Sequence, residues 1–391
     1  MEISRTEFLP GVGLTAISSD EFKESRLSVH LLTRLSRPNA SLCEALPRVL
    51  ARGSFEHPSE KDIVLALSIC HGRLIPGCRR CGEVNDSFLA VSYREAGLLP
   101  GRVAALTAAA AVLGEVLQSP RTDGGRLSLE CIDPVKAGML EEYTLDMRAR
   151  LLDTMCPAEA YGAPLQGTPT SIERLSVGTL TPYYRNTLSS AAIEIIYCGS
   201  LSEAHILPAV REAFSALPAR RCPFEEAAKV RTKPVKNTVR SYTEPVGAAG
   251  AAIGYRMGTA ADEVAAAVLK ELFRLLGFSA VADGIKGVAT VSCTGEGTAA
   301  VNAIHDAVSY LASSEVDTEL FSKACEAAAK HFSVMLTDCE GMEDFAVTGR
   351  ITGKTLRPDD LGALALNTDP ADISRIAAGF NEDTIMIFTD K

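Results

Sequence analysis

Two stretches, TPTSIERLSVGTLTPYYRNTLSSAAIEIIYCG at 168–199 and TDPADISRIAAGFNEDTIMIFTD at 368–390, follow one pattern. Each opens on a Thr-Pro or Asp-Pro cap. Each continues through a short helix carrying Ile-x-Arg-(Leu/Ile) and closes on an apolar run that reads as a buried strand, 191–198 in the first copy. A closing segment used twice implies a unit used twice.

The order ahead of each copy agrees. In the first half, 11–18 and 25–34 read as paired strands, 41–53 and 59–70 as helices, 73–80 and 84–94 as strands, and 101–118, 133–155 and 170–187 as helices. In the second half, 239–246 and 249–257 read as strands, 260–276 as a helix, and 287–294 as a strand. Helices follow at 298–313, 317–336 and about 341–350. Between the halves, LPARRCPFEEAAKVRTKPVKNTVR is charged, proline-bearing and aperiodic, which reads as a linker. The expected architecture is α+β, with two homologous domains, each a mostly antiparallel sheet packed with helices. They span 1–216 and 239–391, joined by 217–238.

Bulk composition limits the function. A chain of 391 residues exceeds one ordinary core. With 47% hydrophobic and 23% charged residues it is globular. A net charge of −10, with no Lys/Arg run, argues against nucleic-acid and membrane-surface partners. MEISRTEFLPGVG lacks the basic and apolar regions of a signal peptide, and VAALTAAAAVLGEVL is too short to span a bilayer. Eleven cysteines, several within apolar runs (Cys43, Cys70, Cys131, Cys156, Cys198, Cys293, Cys325), suit a reducing compartment. A cytoplasmic location is the expectation.

Sequence-local motifs are weak. Cys78 and Cys81 form a single C-x-x-C, and within a strand residues three apart point to opposite faces. GAAGAAIG at 247–254 runs on into Tyr255 and Arg256 as a strand, which excludes a phosphate loop. The six histidines are scattered, with no H-x-x-x-H or H-x-x-E-H. No G-x-S-x-G elbow marks a nucleophile. Glu141-Glu142, mid-helix in the expected 133–155 segment, reads as a solvated face.

The stretch 41–59, SLCEALPRVLARGSFEHPS, opens on a helix that places Leu42, Ala45, Leu46, Val49 and Leu50 on one face. Ser41 and Glu44 read as a capping box, and Gly53 as a stop. Pro47 interrupts the helix, at a cost of roughly 3 kcal/mol.

In order along the chain, FKESRLSV at 22–29, VLARGSFEHPS at 49–59, CHG at 70–72, Leu140-Glu141-Glu142 and YGAPLQGTPTSIERLSVGTLTPYYRNTLSSAAIEIIYCG at 161–199 resemble the insulinase and pitrilysin family of zinc peptidases. That resemblance covers the whole chain and implies one half of a clam-like chamber built from four homologous domains. In active members H-x-x-E-H lies just ahead of the Arg-Gly on the first helix. Counting back from Arg52-Gly53 puts those positions at Glu44, Ala45, Leu46, Pro47 and Arg48. The two histidines and the glutamate base are all replaced. Glu141 or Glu142 falls near the family's third ligand. The second half of active assemblies also supplies a substrate-gripping Arg and Tyr, and LGFSAVADGIKGVATVSC at 276–293 has neither.

The resemblance is closest to the non-catalytic branch found beside an active paralogue in Gram-positive bacteria. It implies an inactive, cytoplasmic, bacterial peptidase homologue. No catalytic residues, metal or cofactor are expected. The expected partner is a homologous zinc-bearing chain, or a second copy, in a dimer that encloses a peptide or unfolded polypeptide. The alternatives are a zinc endopeptidase with scattered ligands such as His57, His71 and Glu142, and a scaffold with no peptide chamber.

Overall fold

The computed structural model describes residues 1–94, 101–218, 220, 238–243, 247–313, 315–353 and 357–389. The expected linker falls mostly at 221–237, outside the described residues. The elements of the first half are β1 (Glu2–Leu9), β2 (Val12–Ser18), β3 (Ser25–Arg34), α1 (Ala40–Leu50), α2 (Glu60–Leu67), β4 (Arg73–Cys81), β5 (Val84–Tyr93) and α3 (Arg102–Gln118). They continue with β6 (Thr122–Asp123), β7 (Arg126–Leu127), α4 (Leu129–Glu141), α5 (Met147–Met155), α6 (Pro169–Glu173), α7 (Val177–Ser190), β8 (Ala192–Gly199) and α8 (Glu203–Ala213). The second half contains β9 (Val239–Thr243), β10 (Gly250–Met257), α9 (Glu263–Leu275), β11 (Ser279–Asp283), β12 (Val288–Thr294), α10 (Gly297–Ala312), α11 (Thr318–Met335), α12 (Cys339–Thr352), α13 (Pro358–Leu366), α14 (Pro370–Ala378) and β13 (Phe380–Phe388).

The first sheet runs β1-β2-β8-β3-β5-β4 and the second runs β11-β12-β10-β13-β9. Read from the other edge, the second repeats five strands of the first among the described residues: β4, β5, β3, β8 and β2 correspond to β11, β12, β10, β13 and β9. The directions also correspond. The pairs β2–β8 and β13–β9 are parallel, and every other pair in the two sheets is antiparallel. The fold is α+β with a duplicated, mostly antiparallel sheet.

Three expectations are corrected. β2 and β3 are not partners, because β8 lies between them. The strand that returns at the end of the half takes the place a hairpin would have filled. The helix expected over 133–155 is two helices, α4 and α5. Asp146 restarts the chain by accepting the Ala149 N–H as an N-cap. Ser41 and Glu44 form no capping box, since α1 begins at Ala40 behind the turn Arg37–Asn39. The Ser59 cap does form, as a capping box with Asp62.

The chain divides into two compact units that are not consecutive lengths of sequence. Thr144–Pro164, containing α5, belongs with the second sheet, and Met335–Gly353, containing α12, belongs with the first. These two segments cross the expected boundary between 1–216 and 239–391. Packing explains both. Within the second unit, α5 lies on β10 and β13. The small residues of GAAGAAIG permit this approach: a Cβ on Gly254 would sit 2.6 Å from Met155 Sδ, and one on Gly250 would sit 3.0 Å from Met147 Cε. Within the first unit, α12 lies on β8 and β3.

The first sheet has two unlike faces, as alternation along its strands dictates. Leu27, Val29 and Leu31 of β3 and Ile193, Ile195 and Tyr197 of β8 join the apolar core with Ala45 and Leu46 of α1 and Leu106 and Ala109 of α3. Arg26, Ser28 and His30 of β3 and Glu194 of β8 are buried on the other face, toward α12. Among the described residues no helix is long and apolar enough to cross a membrane.

Candidate functional site

α1 carries its core residues on one side and Glu44 and Arg48 on the other, with Arg52 just past its end. Pro47 lacks the N–H that would bond the Cys43 carbonyl one turn back. The Ser87 hydroxyl on β5 donates to that carbonyl instead, at 2.9 Å. The helix therefore runs through the proline from Ala40 to Leu50.

Glu44 and Arg48 are one turn apart, and Arg48 Nη2 lies 2.7 Å from Glu44 Oε1. Arg48 Nη1 lies 3.0 Å from Glu142 Oε2, just past the end of α4. Burial lowers the basicity of the Arg48 guanidinium, but the charges and hydrogen bonds of Glu44 and Glu142 outweigh it. The group therefore sits above its ordinary value. Of the Glu141/Glu142 pair, Glu142 is the one that meets the degenerate positions. The three positions at which the resemblance puts ligands thus converge, and a fixed organic cation lies between the two carboxylates. Zinc with a general base does not fit these residues. Both carboxylates already hold Arg48, Pro47 has no group to take a proton, and no imidazole is present.

These side chains line a cleft of about 590 Å³ between α1, α2, α4 and β4. Arg52, paired to Glu60 at 2.9 Å, Val64, Arg73, Leu74 and Val135 complete its walls. Among the described residues β4 is an edge strand of the sheet, paired only to β5. Beside the cleft α2 exposes Val64 and Leu65 at 64% and 73%, an apolar surface at its rim. Sequence reading overlooked Arg73, Val64 and Ser87, because only the turn into β4 and the pairing of β5 bring them to α1.

The scattered set His57, His71 and Glu142 is not assembled. His57 Nδ1 lies 2.6 Å from Glu115, and among the described residues no three His, Cys, Asp or Glu side chains are grouped to hold a metal. His71 instead takes φ 48° to turn the chain into β4. Cys78 and Cys81 lie along β4, and Cys78 Sγ is bonded to Asn85.

The opposite face of the sheet holds an arrangement that no sequence motif marks. Ser28 Oγ lies 2.8 Å from His30 Nε2, and His30 Nδ1 lies 3.0 Å from both Asp86 oxygens. The order is that of a hydrolase triad, but all three side chains are at most 1% exposed. Glu343 of α12 closes over them, 2.6 Å from Arg26 and 2.7 Å from Arg79. Burial raises the Asp86 and Glu343 carboxyls, yet His30 with Arg79, and His30 with Arg26 and Arg79, bring them below their ordinary values. This is an ionic seat for α12, with no room for a substrate.

No sequence-family profile matches the chain, and no curated protein matches it. Solved structures match over its whole length. A conserved protein from Enterococcus faecalis superposes with TM-score 0.85 at 16% identity, covering 100% of this chain and 99% of that one. A structure described as a peptidase M16 inactive domain, from Pseudomonas fluorescens, gives 0.73 at 12%, covering 100% and 99%. The periplasmic protease PqqL from Escherichia coli gives 0.70 at 11%, covering 100% of this chain and 48% of that one. The chain has the fold of the M16-like peptidases.

Proposed function

We propose that the chain is a non-catalytic peptidase homologue that binds extended polypeptide in the α1–β4 cleft and works paired with a homologous zinc-bearing chain. The observation that carries this is Arg48 lying between Glu44 and Glu142, where an ion would have to sit. An edge strand beside an apolar-walled cleft supports the peptide part, since free main-chain groups take up an extended chain by strand addition. Size supports the pairing: this chain covers 48% of a protease with the same fold, which leaves room for a second chain of its kind. The ten described cysteines are free thiols, which supports a cytoplasmic setting.

The test uses the purified chain, alone and mixed with a homologue bearing H-x-x-E-H. Metal content, hydrolysis of a quenched fluorescent peptide and gel-filtration size are measured. The expected result is no stoichiometric zinc and no hydrolysis alone, with co-elution on mixing. Chelator-sensitive hydrolysis by the chain alone would sink the non-catalytic reading. Elution as an unaltered monomer in the mixture would sink the pairing.

A further inference from the structure

The cleft's arginines are not equivalent. Arg48 is committed to Glu44 and Glu142, and Arg52 to Glu60. Arg73, on the same cleft, is exposed and makes no ion pair or side-chain hydrogen bond with any described residue. Its base is firmly held. The preceding turn is fixed by the left-handed His71, whose N–H bonds Ser68 O at 3.1 Å, and by Gly72 N–H on Leu67 O at 2.9 Å. Arg73 opens the edge strand, and the cleft it lines is shared with the aliphatic Ile63, Val64 and Leu74 and with Glu44, Glu60 and Glu142, which already hold Arg48 and Arg52.

We infer that Arg73 selects the occupant of the cleft: an extended peptide carrying a carboxylate next to an aliphatic residue. This rests on the peptide-binding reading above. A guanidinium forks onto a carboxylate with two parallel hydrogen bonds, and the aliphatic wall lowers the local dielectric around the pair. The charge balance of the whole molecule sharpens the claim. At net −10 the protein attracts basic peptides non-specifically and repels acidic ones. A preference for acid therefore has to come from a local partner. The carboxylate belongs either to an Asp or Glu side chain or to a chain terminus.

Fluorescence anisotropy of the full-length protein at physiological salt decides it. Three peptides share one aliphatic core and a neutral dye. One has an acidic side chain and an amidated end, one has only a free terminal carboxylate, and one is uncharged. At least one carboxylate peptide is expected to bind about tenfold tighter than the uncharged one, and which one does so names the source. Arg73→Ala is expected to erase the difference and Arg73→Lys to keep part of it. Arg174→Ala, at an exposed arginine outside the cleft, is expected to leave the difference intact. Equal binding of all three peptides, or a preference that survives Arg73→Ala, overturns the selectivity and leaves peptide binding standing. Failure of every peptide to bind overturns both.

Discussion

A guanidinium held between two carboxylates puts a positive charge where a metal ion would have to bind. Arg48, Glu44 and Glu142 form such a set, and Pro47 beside them is tolerated because Ser87 takes over the Cys43 carbonyl. Two outcomes follow at this scale. Ser87→Ala leaves that buried carbonyl without its donor and is expected to destabilise the protein by about 1–3 kcal/mol, read as a lower urea midpoint. The combined variant Glu44→His, Pro47→Glu, Arg48→His places two imidazoles one turn apart, with Glu142 in reach. It is expected to acquire stoichiometric zinc, measured by elemental analysis after dialysis. A variant that folds and stays metal-free would show that the three positions do not converge as described. The placement of the motif at 44–48 is what the family resemblance implies, and the absence of H-x-x-E-H can be read straight from the sequence. The rescue of Pro47 cannot, because its donor lies forty residues downstream on β5 and only tertiary pairing brings it near.

Helices α5 and α12 occupy corresponding places in the two halves, and each lies on the sheet of the other half's strands. Periodicity gave the existence of α12 but not its destination. Beside Met342, Val347 and Ile351 it buries Glu343, a carboxylate that any amphipathicity rule assigns to solvent. The same blindness merged α4 with α5, although Asp146 signals the restart, and paired β2 with β3, because no local signal announces a strand arriving from 160 residues later. The ionic seat makes an acid-sensitive prediction. Asp86 and Glu343 sit below their ordinary values of 3.8 and 4.5 in the folded protein. The unfolded chain then binds more protons than the folded one as pH falls through this region, so stability is full above it and drains away below it. Glu343→Gln is expected to cost about 3–5 kcal/mol at neutral pH by stranding Arg26, and to flatten the decline in melting temperature between neutral and acid pH. A variant with an unchanged acid slope would remove Glu343 from the account.

Over the whole molecule, duplication is the dominant fact. It was legible from the two closing segments because each ends on a strand interior to its sheet, whose apolar run stands out in the sequence. Among the described residues the second sheet shows no counterpart of β1, and the cleft with Glu44, Arg48, Arg73 and Glu142 belongs to the first unit. The trading of α5 for α12 bears on any attempt to take the protein apart. Severing the polypeptide within 221–237 would give two pieces, and neither would be a self-sufficient module. The front piece would leave Arg26, His30 and Asp86 bare, and the rear piece would leave the glycine-lined face of β10 without its cover. Expressed separately, they are expected to be insoluble or molten. Co-expressed, they are expected to reconstitute one soluble particle that purifies through a tag on either piece. A front piece that folds cooperatively by itself would mean that α12 is dispensable.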